Sequence, residues 1–319
     1  MSWLADFLGQ FLLLLGLLLV AAAFFAPFEA LGWWSGWTER SLQPTRTDLR
    51  EAVHAPVDAS YFIVYLTGVL GFEGGSGAAK ETALIREIAA GLPDDAVMIS
   101  DVFPYSVSNN PLNGERIFAK LWRWIDARRK QQKSEVNAYN ALIIARNVLQ
   151  VAVSADPRYG PLSNAGVARE IARSLLRHGY PTNSGMPIYL IGYSGGGQIS
   201  VGVARYLHVA FNASIRIVSL GGFYSDDPGI AYVARIDDLQ GSRDPLPWVG
   251  TLLYPGRWRL LAYSAWNRAR RAGKFHAIPS GPMAHFGDAD YFSRESTLPD
   301  GEIYANRTAA LAVAAILDD

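Results

Sequence analysis

Two kinds of apolar pattern divide the chain. Phe7 to Phe25 reads FLGQFLLLLGLLLVAAAFF, nineteen residues without a charge and with Gln10 as the only strongly polar side chain. At a rise of about 1.5 Å per residue, a helix of this length matches a hydrocarbon core of about 30 Å. The pattern therefore predicts one N-terminal transmembrane helix. Trp33, Trp34 and Trp37 follow, where amphipathic rings suit the headgroup level. A cleaved signal peptide fits less well, because no Lys or Arg precedes the run and the run exceeds an h-region of about 7–15 residues. A buried core helix fits less well still. Arg40, Arg46 and Arg50 lie just past the span, which by the positive-inside rule places the large domain on the cytoplasmic side, although Glu39, Asp48 and Glu51 dilute the signal.

Beyond residue 60 the apolar runs become short and alternate with longer stretches of helical spacing, the pattern of βαβ units and a parallel sheet. Strands are expected over Tyr61–Thr67, Ala96–Phe103, Pro187–Ile191, Ile215–Leu220 and Ile230–Ile236. The first is apolar throughout, as in a strand buried on both faces. Helices are expected over Ala79–Gly91, Gly114–Lys130, Glu135–Val153, Asn164–His178 and Gly195–Val209. The stretch from Glu39 to Ser60 is polar and carries Pro44 and Pro56, which reads as a linker. The chain thus divides into an anchor and aromatic segment (1–38), a linker (39–60) and one domain (61–319). A glycine cluster, Gly71 to Gly77, marks a loop that needs unusual backbone freedom.

Composition narrows the chemistry. The chain has no cysteine, which removes disulfides, thiolate metal sites and a Cys nucleophile together. Lys plus Arg equals Asp plus Glu at 29 each, so no global field points to nucleic acid. No metal and no organic cofactor is expected.

The chemistry is carried by Ile191-Gly192-Tyr193-Ser194-Gly195-Gly196-Gly197, which satisfies G-x-S-x-G between an expected buried strand and an expected helix. In that context Ser194 occupies a tight strand-to-helix turn, its hydroxyl exposed at the C-terminal end of the sheet, with glycines allowing close backbone approach. The plainer reading, a phosphate loop or an ordinary turn, is weaker: no Lys follows as a P-loop requires, and G-x-G-x-x-G is not matched.

With this elbow, the strand–helix alternation around it and a late histidine, the chain resembles the α/β-hydrolase superfamily over roughly Tyr61 to Leu317. The resemblance implies a mostly parallel sheet with flanking helices and a triad in the order serine, acid, histidine. Ser194 would be the nucleophile, with Gly192, Tyr193 and Gly196 forming the elbow. His285, in the glycine-bounded loop Gly281-Pro-Met-Ala-His-Phe-Gly287, matches the general base better than His276, which reads as part of the strand leading there. His54, His178 and His208 lie in the linker or at helix ends. Asp244, in Gly241-Ser-Arg-Asp-Pro-Leu-Pro247, matches the acid, with Asp237, Asp238, Asp226 and Asp227 as alternatives. For each aspartate the plain reading is a turn former. The oxyanion donors would be the N–H of Gly195 and that of Val69, in Thr67-Gly-Val-Leu-Gly71, which resembles the family's H-G-x-x-G loop with Thr in place of His.

The expected activity is hydrolysis of a carboxylic ester or thioester of a lipophilic acyl substrate through an acyl-enzyme. The alternatives are a catalytically silent membrane-tethered binding or scaffold module, and an acyltransferase. Two basic, aromatic segments, Phe118–Lys130 with Trp122 and Trp124 and Pro255–Lys274 with Trp258, Leu261 and Trp266, read either as cap helices packed on the core or as amphipathic helices on an anionic leaflet.

Overall fold

The apolar alternation within each strand sorts side chains to two faces, and the computed structural model shows both faces covered. It describes residues 58–69, 76–105, 138–182 and 184–318, with isolated positions elsewhere. The expected anchor, most of the linker and the Trp122–Trp124 segment lie outside the described residues. Among the described residues no helix is long and apolar enough to cross a membrane.

In chain order the elements are β1 (Tyr61–Leu66), α1 (Ser76–Gly91), β2 (Ala96–Ile99), α2 (Ala138–Ala155), α3 (Gly160–Arg177), β3 (Ile188–Tyr193), α4 (Gly195–Phe211), β4 (Ile215–Leu220), β5 (Val233–Gly241), α5 (Leu246–Leu253), α6 (Ala265–Arg271), β6 (Phe275–Gly281) and α7 (Tyr304–Leu317). The six strands form one sheet in the order β2-β1-β3-β4-β5-β6, parallel at every pairing. Phe62, Val64 and Leu66 of β1 and Ile188 and Leu190 of β3 join the core under α2, α3 and α4. Ile63, Tyr65, Tyr189, Ile191 and Tyr193 join the core under α1 and α7. Period-2 alternation with both faces apolar is the sequence form of a sheet buried on both sides.

The order reverses at β1. The chain steps outward to β2, then crosses back to lay β3 on the other side of β1. Loops that leave the C-terminal ends of β1 and β3 therefore diverge to opposite faces and open a crevice between them.

Most boundaries differ from the sequence reading by a few residues, and four of the differences bear on the site or have a visible cause. β2 ends at Ile99 rather than Phe103, and just beyond it the Asp101 carboxyl pairs with Arg177 of α3 at 2.9 Å. α3 begins at Gly160 rather than Asn164, with a proline in its first turn, where a missing N–H costs nothing. Residues 230–232 belong to a 3-10 turn, Pro228–Tyr232, which Asp227 caps by accepting from the Gly229 N–H at 2.7 Å. β5 then starts at Val233 and runs to Gly241, so Asp237 and Asp238 sit within the strand rather than at its end.

The Pro255–Lys274 segment is also not one amphipathic helix. A 3-10 turn at Pro255–Arg257 and a bend lead to the short α6. Arg257 is buried, stacks on Trp266 at 4.1 Å and donates to the Tyr224 carbonyl at 3.0 Å. Trp266 is core. Trp258, Leu260 and Tyr263 remain outside, as do Trp248, Leu252 and Leu253 of α5.

Candidate functional site

The candidate triad residues follow the C-terminal ends of three strands, Ser194 after β3, Asp244 after β5 and His285 after β6. Ser194 follows β3 directly and takes φ 54° and ψ −121°, a conformation that side-chain-bearing residues rarely adopt. Such strain costs about 1–3 kcal/mol and persists only where the surroundings enforce it. They do so here: the Ser194 N–H donates to the Leu220 carbonyl at 3.1 Å, and its own carbonyl accepts from Gly197 and Phe223 at 3.0 and 3.1 Å.

The flanking glycines are required by contact. A Cβ on Gly192 would stand 2.7 Å from the Gly196 backbone, and one on Gly196 would press into the Leu66 carbonyl oxygen. Both obstacles are main chain and cannot rotate away. Gly196→Ala is expected to lower stability by about 2–3 kcal/mol through forced backbone displacement, read as a shift of the urea midpoint at constant m.

Asp244 lies three residues past β5, at the turn into α5. Its Oδ1 accepts from the Leu246 N–H at 2.9 Å, and its Oδ2 accepts from His285 Nδ1 and from the Tyr291 hydroxyl, each at 2.8 Å. Tyr291 is fixed in turn by the Gly241 N–H, 2.8 Å from its oxygen. The His285 and Asp244 side chains are 1% and 0% exposed, so the pair is shielded from screening. A carboxylate only accepts, so Nδ1 carries the ring proton and Nε2 presents its lone pair. That Nε2 is buried and has no hydrogen-bond partner among the described residues.

The residue beside the serine holds the histidine. Tyr193 stacks on the His285 ring, centroids 5.1 Å apart at 16°, and donates to the His285 carbonyl at 2.6 Å. Phe292 packs edge-on against Tyr193 at 4.7 Å. His285 is therefore clamped next to the Ser194 turn from two directions, although no hydrogen bond joins Ser194 to Nε2.

The other candidates are engaged elsewhere. Asp237 pairs with Arg235 at 2.8 Å and lies 3.9 Å from the half-exposed His276, whose Nε2 meets the Gly273 carbonyl at 2.7 Å. Asp238 is buried, accepts from the Gly222 N–H at 3.1 Å and from Gln240 at 2.6 Å, and is pushed up to about 6 by burial. It braces the turn after β4. Asp227 is the cap described above, and Asp226 packs against Gly256. His178 and His208 bond carbonyls at the ends of α3 and α4, both at 2.8–2.9 Å.

The loop after β1 stands against the serine turn. A Cβ on Gly68 would lie 2.5 Å from the Tyr193 ring and 3.2 Å from the Ser194 Cβ. Gly195 opens α4, so its N–H is among those a helix start leaves without an intrahelical acceptor. The Val69 carbonyl accepts from Asn147 Nδ2 of α2 at 2.9 Å, which ties the end of this loop segment to α2.

Sequence reasoning passed over Glu81, on the expected helix of α1. Its Oε2 accepts from Thr67 Oγ1 at 2.6 Å and from the Tyr65 hydroxyl at 3.1 Å. Burial pushes its carboxyl up to about 7 against those two bonds, and the charge of Asp290 adds to the rise. Thr67 stands where the resembling loop has His, and its hydroxyl ties that loop to α1. A carboxyl raised in the folded state keeps its proton there after the unfolded chain has lost it. Stability therefore falls as pH rises from the ordinary value of 4.5 through about 7. Glu81→Gln should remove about 3 kcal/mol of that decline, seen by comparing urea unfolding of both proteins at pH 5 and pH 8. An equal decline in the variant would show that Glu81 is not the group responsible.

No group of three or more His, Asp or Glu side chains among the described residues could hold a metal ion. No family model, curated protein or solved structure matches the chain.

Proposed function

We propose that the chain is a serine hydrolase of the α/β-hydrolase type, anchored by its N-terminal apolar segment and cleaving carboxylic esters or thioesters of lipophilic acids. The observation that carries this reading is the pairing of a strained, enforced Ser194 conformation with a clamped His285. The histidine's Nδ1 is held by Asp244 and its lone pair at Nε2 is unspent.

In this reading Ser194 Oγ attacks the acyl carbonyl carbon while His285 Nε2 takes the hydroxyl proton. The carbonyl oxygen gains the charge and is met by the N–H groups of Gly195 and Val69, reinforced by the start of α4. The C–O bond to the alcohol, or the C–S bond to the thiol, then breaks, and the leaving group takes the proton back from Nε2. Water, deprotonated by the same nitrogen, attacks the acyl-serine and releases the acid. Asp244 holds the imidazole in the productive tautomer and stabilises the imidazolium. Esters come first because their carbonyl needs no activation beyond the oxyanion donors. The exposed Trp248, Leu252, Leu253, Leu260 and Tyr263, contributed by α5 and the bend that follows the Asp244 turn, suit a lipophilic substrate drawn from a bilayer.

The missing Ser194–His285 hydrogen bond favours a second reading, a silent binding or scaffold module on the same fold. Such bonds are often long without substrate and tighten in the complex, so the first reading stands ahead. Labelling of the full chain in detergent with a fluorophosphonate separates the two. Covalent labelling supports the hydrolase, and a folded chain that stays unlabelled in detergent and in liposomes supports the scaffold. Faster acyl transfer to an added alcohol than to water would turn the enzyme reading toward an acyltransferase.

A further inference from the structure

Among the described residues several buried hydroxyls outside the triad have no hydrogen-bond partner, and that of Tyr105 lies against Gly195 at the serine turn. Tyr105 follows β2 and is 3% exposed, and its Oη has no hydrogen-bond partner among the described residues. It lies against Gly195: a Cβ there would be 3.1 Å from Tyr105 Oη, 3.2 Å from Val69 Cγ1 and 2.6 Å from Val151 Cγ2. The hydroxyl thus lies beside Gly195 and near the Val69 side chain, the two residues read above as oxyanion donors.

Its position is held from behind by α2. Arg146, buried at 2% exposure, donates from Nη1 to the Tyr105 carbonyl at 2.7 Å, and the next residue, Asn147, donates to the Val69 carbonyl at 2.9 Å. Two adjacent side chains of one helix therefore fix the loops after β1 and β2 relative to each other and to the start of α4. A buried phenol without a partner lowers stability, and a phenylalanine would fill the same space without that loss. Burial, with Glu81 nearby, raises the phenol well above its ordinary pKa, so it remains a donor at any working pH.

We propose that the Tyr105 hydroxyl is a third oxyanion donor, hydrogen-bonding the acyl oxygen of the substrate alongside the N–H groups of Gly195 and Val69. No proton is transferred by Tyr105. It donates one hydrogen bond that strengthens as the carbonyl oxygen becomes charged, which is where a preorganised donor accelerates reaction. This inference rests on the serine-hydrolase reading.

The test is Tyr105→Phe in the full chain in detergent, with p-nitrophenyl butyrate as substrate and a fluorophosphonate as probe. The expected result is a kcat about 10- to 100-fold lower with KM within about threefold, the pattern of an interaction made mainly in the transition state. The phosphonylation rate should fall by a similar factor, because its intermediate also places charge on an oxygen in that pocket. The Tm should stay level or rise, since an unpaired hydroxyl has been removed. Unchanged kcat and labelling rate with an active wild type would overturn the inference and leave the hydrolase reading intact. So would a Tm that falls together with activity, because the hydroxyl would then be structural. A wild type that is folded yet unlabelled would overturn both.

Discussion

Ser194→Ala is expected to abolish fluorophosphonate labelling and to lower ester hydrolysis by about 10⁴- to 10⁶-fold, with the fold intact. The size follows from the loss of the acyl-enzyme route. What remains is the oxyanion pocket acting on water, and residual rates of that kind stay well above the uncatalysed reaction. Alanine keeps the Cβ that the turn already accommodates, so secondary structure and Tm should change little. Ser194→Gly gives a second reading of the same site. Glycine adopts φ 54° freely, and relief of the strain should raise stability by about 1–2 kcal/mol while activity is lost just as completely. A protein that becomes more stable as it loses its nucleophile has a turn held in tension for function. If Ser194→Ala still labels, the reactive serine is another residue and the triad assignment falls.

Asp244→Asn is expected to lower kcat by about 10⁴-fold at near-constant stability. The asparagine oxygen can stand in for Oδ1 and keep the Leu246 N–H bond, which puts its NH2 group where Oδ2 met His285 Nδ1 and the Tyr291 hydroxyl. That group offers a hydrogen where Nδ1 offered one before. The ring then places its proton on Nε2, the wrong nitrogen for taking the Ser194 proton. Asp237→Asn makes the comparison that decides between the aspartates. That carboxyl pairs with Arg235 near the sheet edge, away from the His285 Nδ1, so its loss should leave kcat within about threefold, given the modest worth of a partly exposed ion pair. Full activity in Asp244→Asn with a large loss in Asp237→Asn would reverse the assignment. Measurement of kcat on p-nitrophenyl butyrate for both variants reads the result directly.

Much of this architecture is local in origin and so readable along the chain. Continuous apolar runs such as Tyr61–Leu66 and Ile188–Tyr193, short and alternating with longer helical stretches, read as strands covered on both faces, and the helices between them show their period plainly. Some boundaries moved for local reasons, the proline in the first turn of α3 and the Asp227 cap before β5, while other side chains answered to partners the pattern does not show. Asp101 left the β2 edge for Arg177, and Arg257 left the surface for Trp266. The second case shows why the Pro255–Lys274 segment read as amphipathic. Its pattern of arginines and aromatics counted Arg257 as solvated, yet cation–π stacking and a carbonyl bond carry it into the core.

By itself the sequence determined the parallel α/β class, the Ser194 turn with its glycines, and a short list of acids and histidines in chain order. Those features rest on near-neighbour sterics and on which faces must be buried, and both leave a periodic mark. Only the tertiary structure shows that, of Asp244, Asp237, Asp238, Asp226 and Asp227, it is Asp244 that meets His285, because each of them also fits a turn or strand locally. Their roles separate only when β5, β6 and the loop at His285 meet. It alone also placed Tyr291 behind Asp244, Glu81 under Thr67, and Arg146 and Asn147 behind the two loops. These contacts span 14 to 78 residues of chain, and a hydrogen bond across such distances depends on sheet order, which no local pattern encodes.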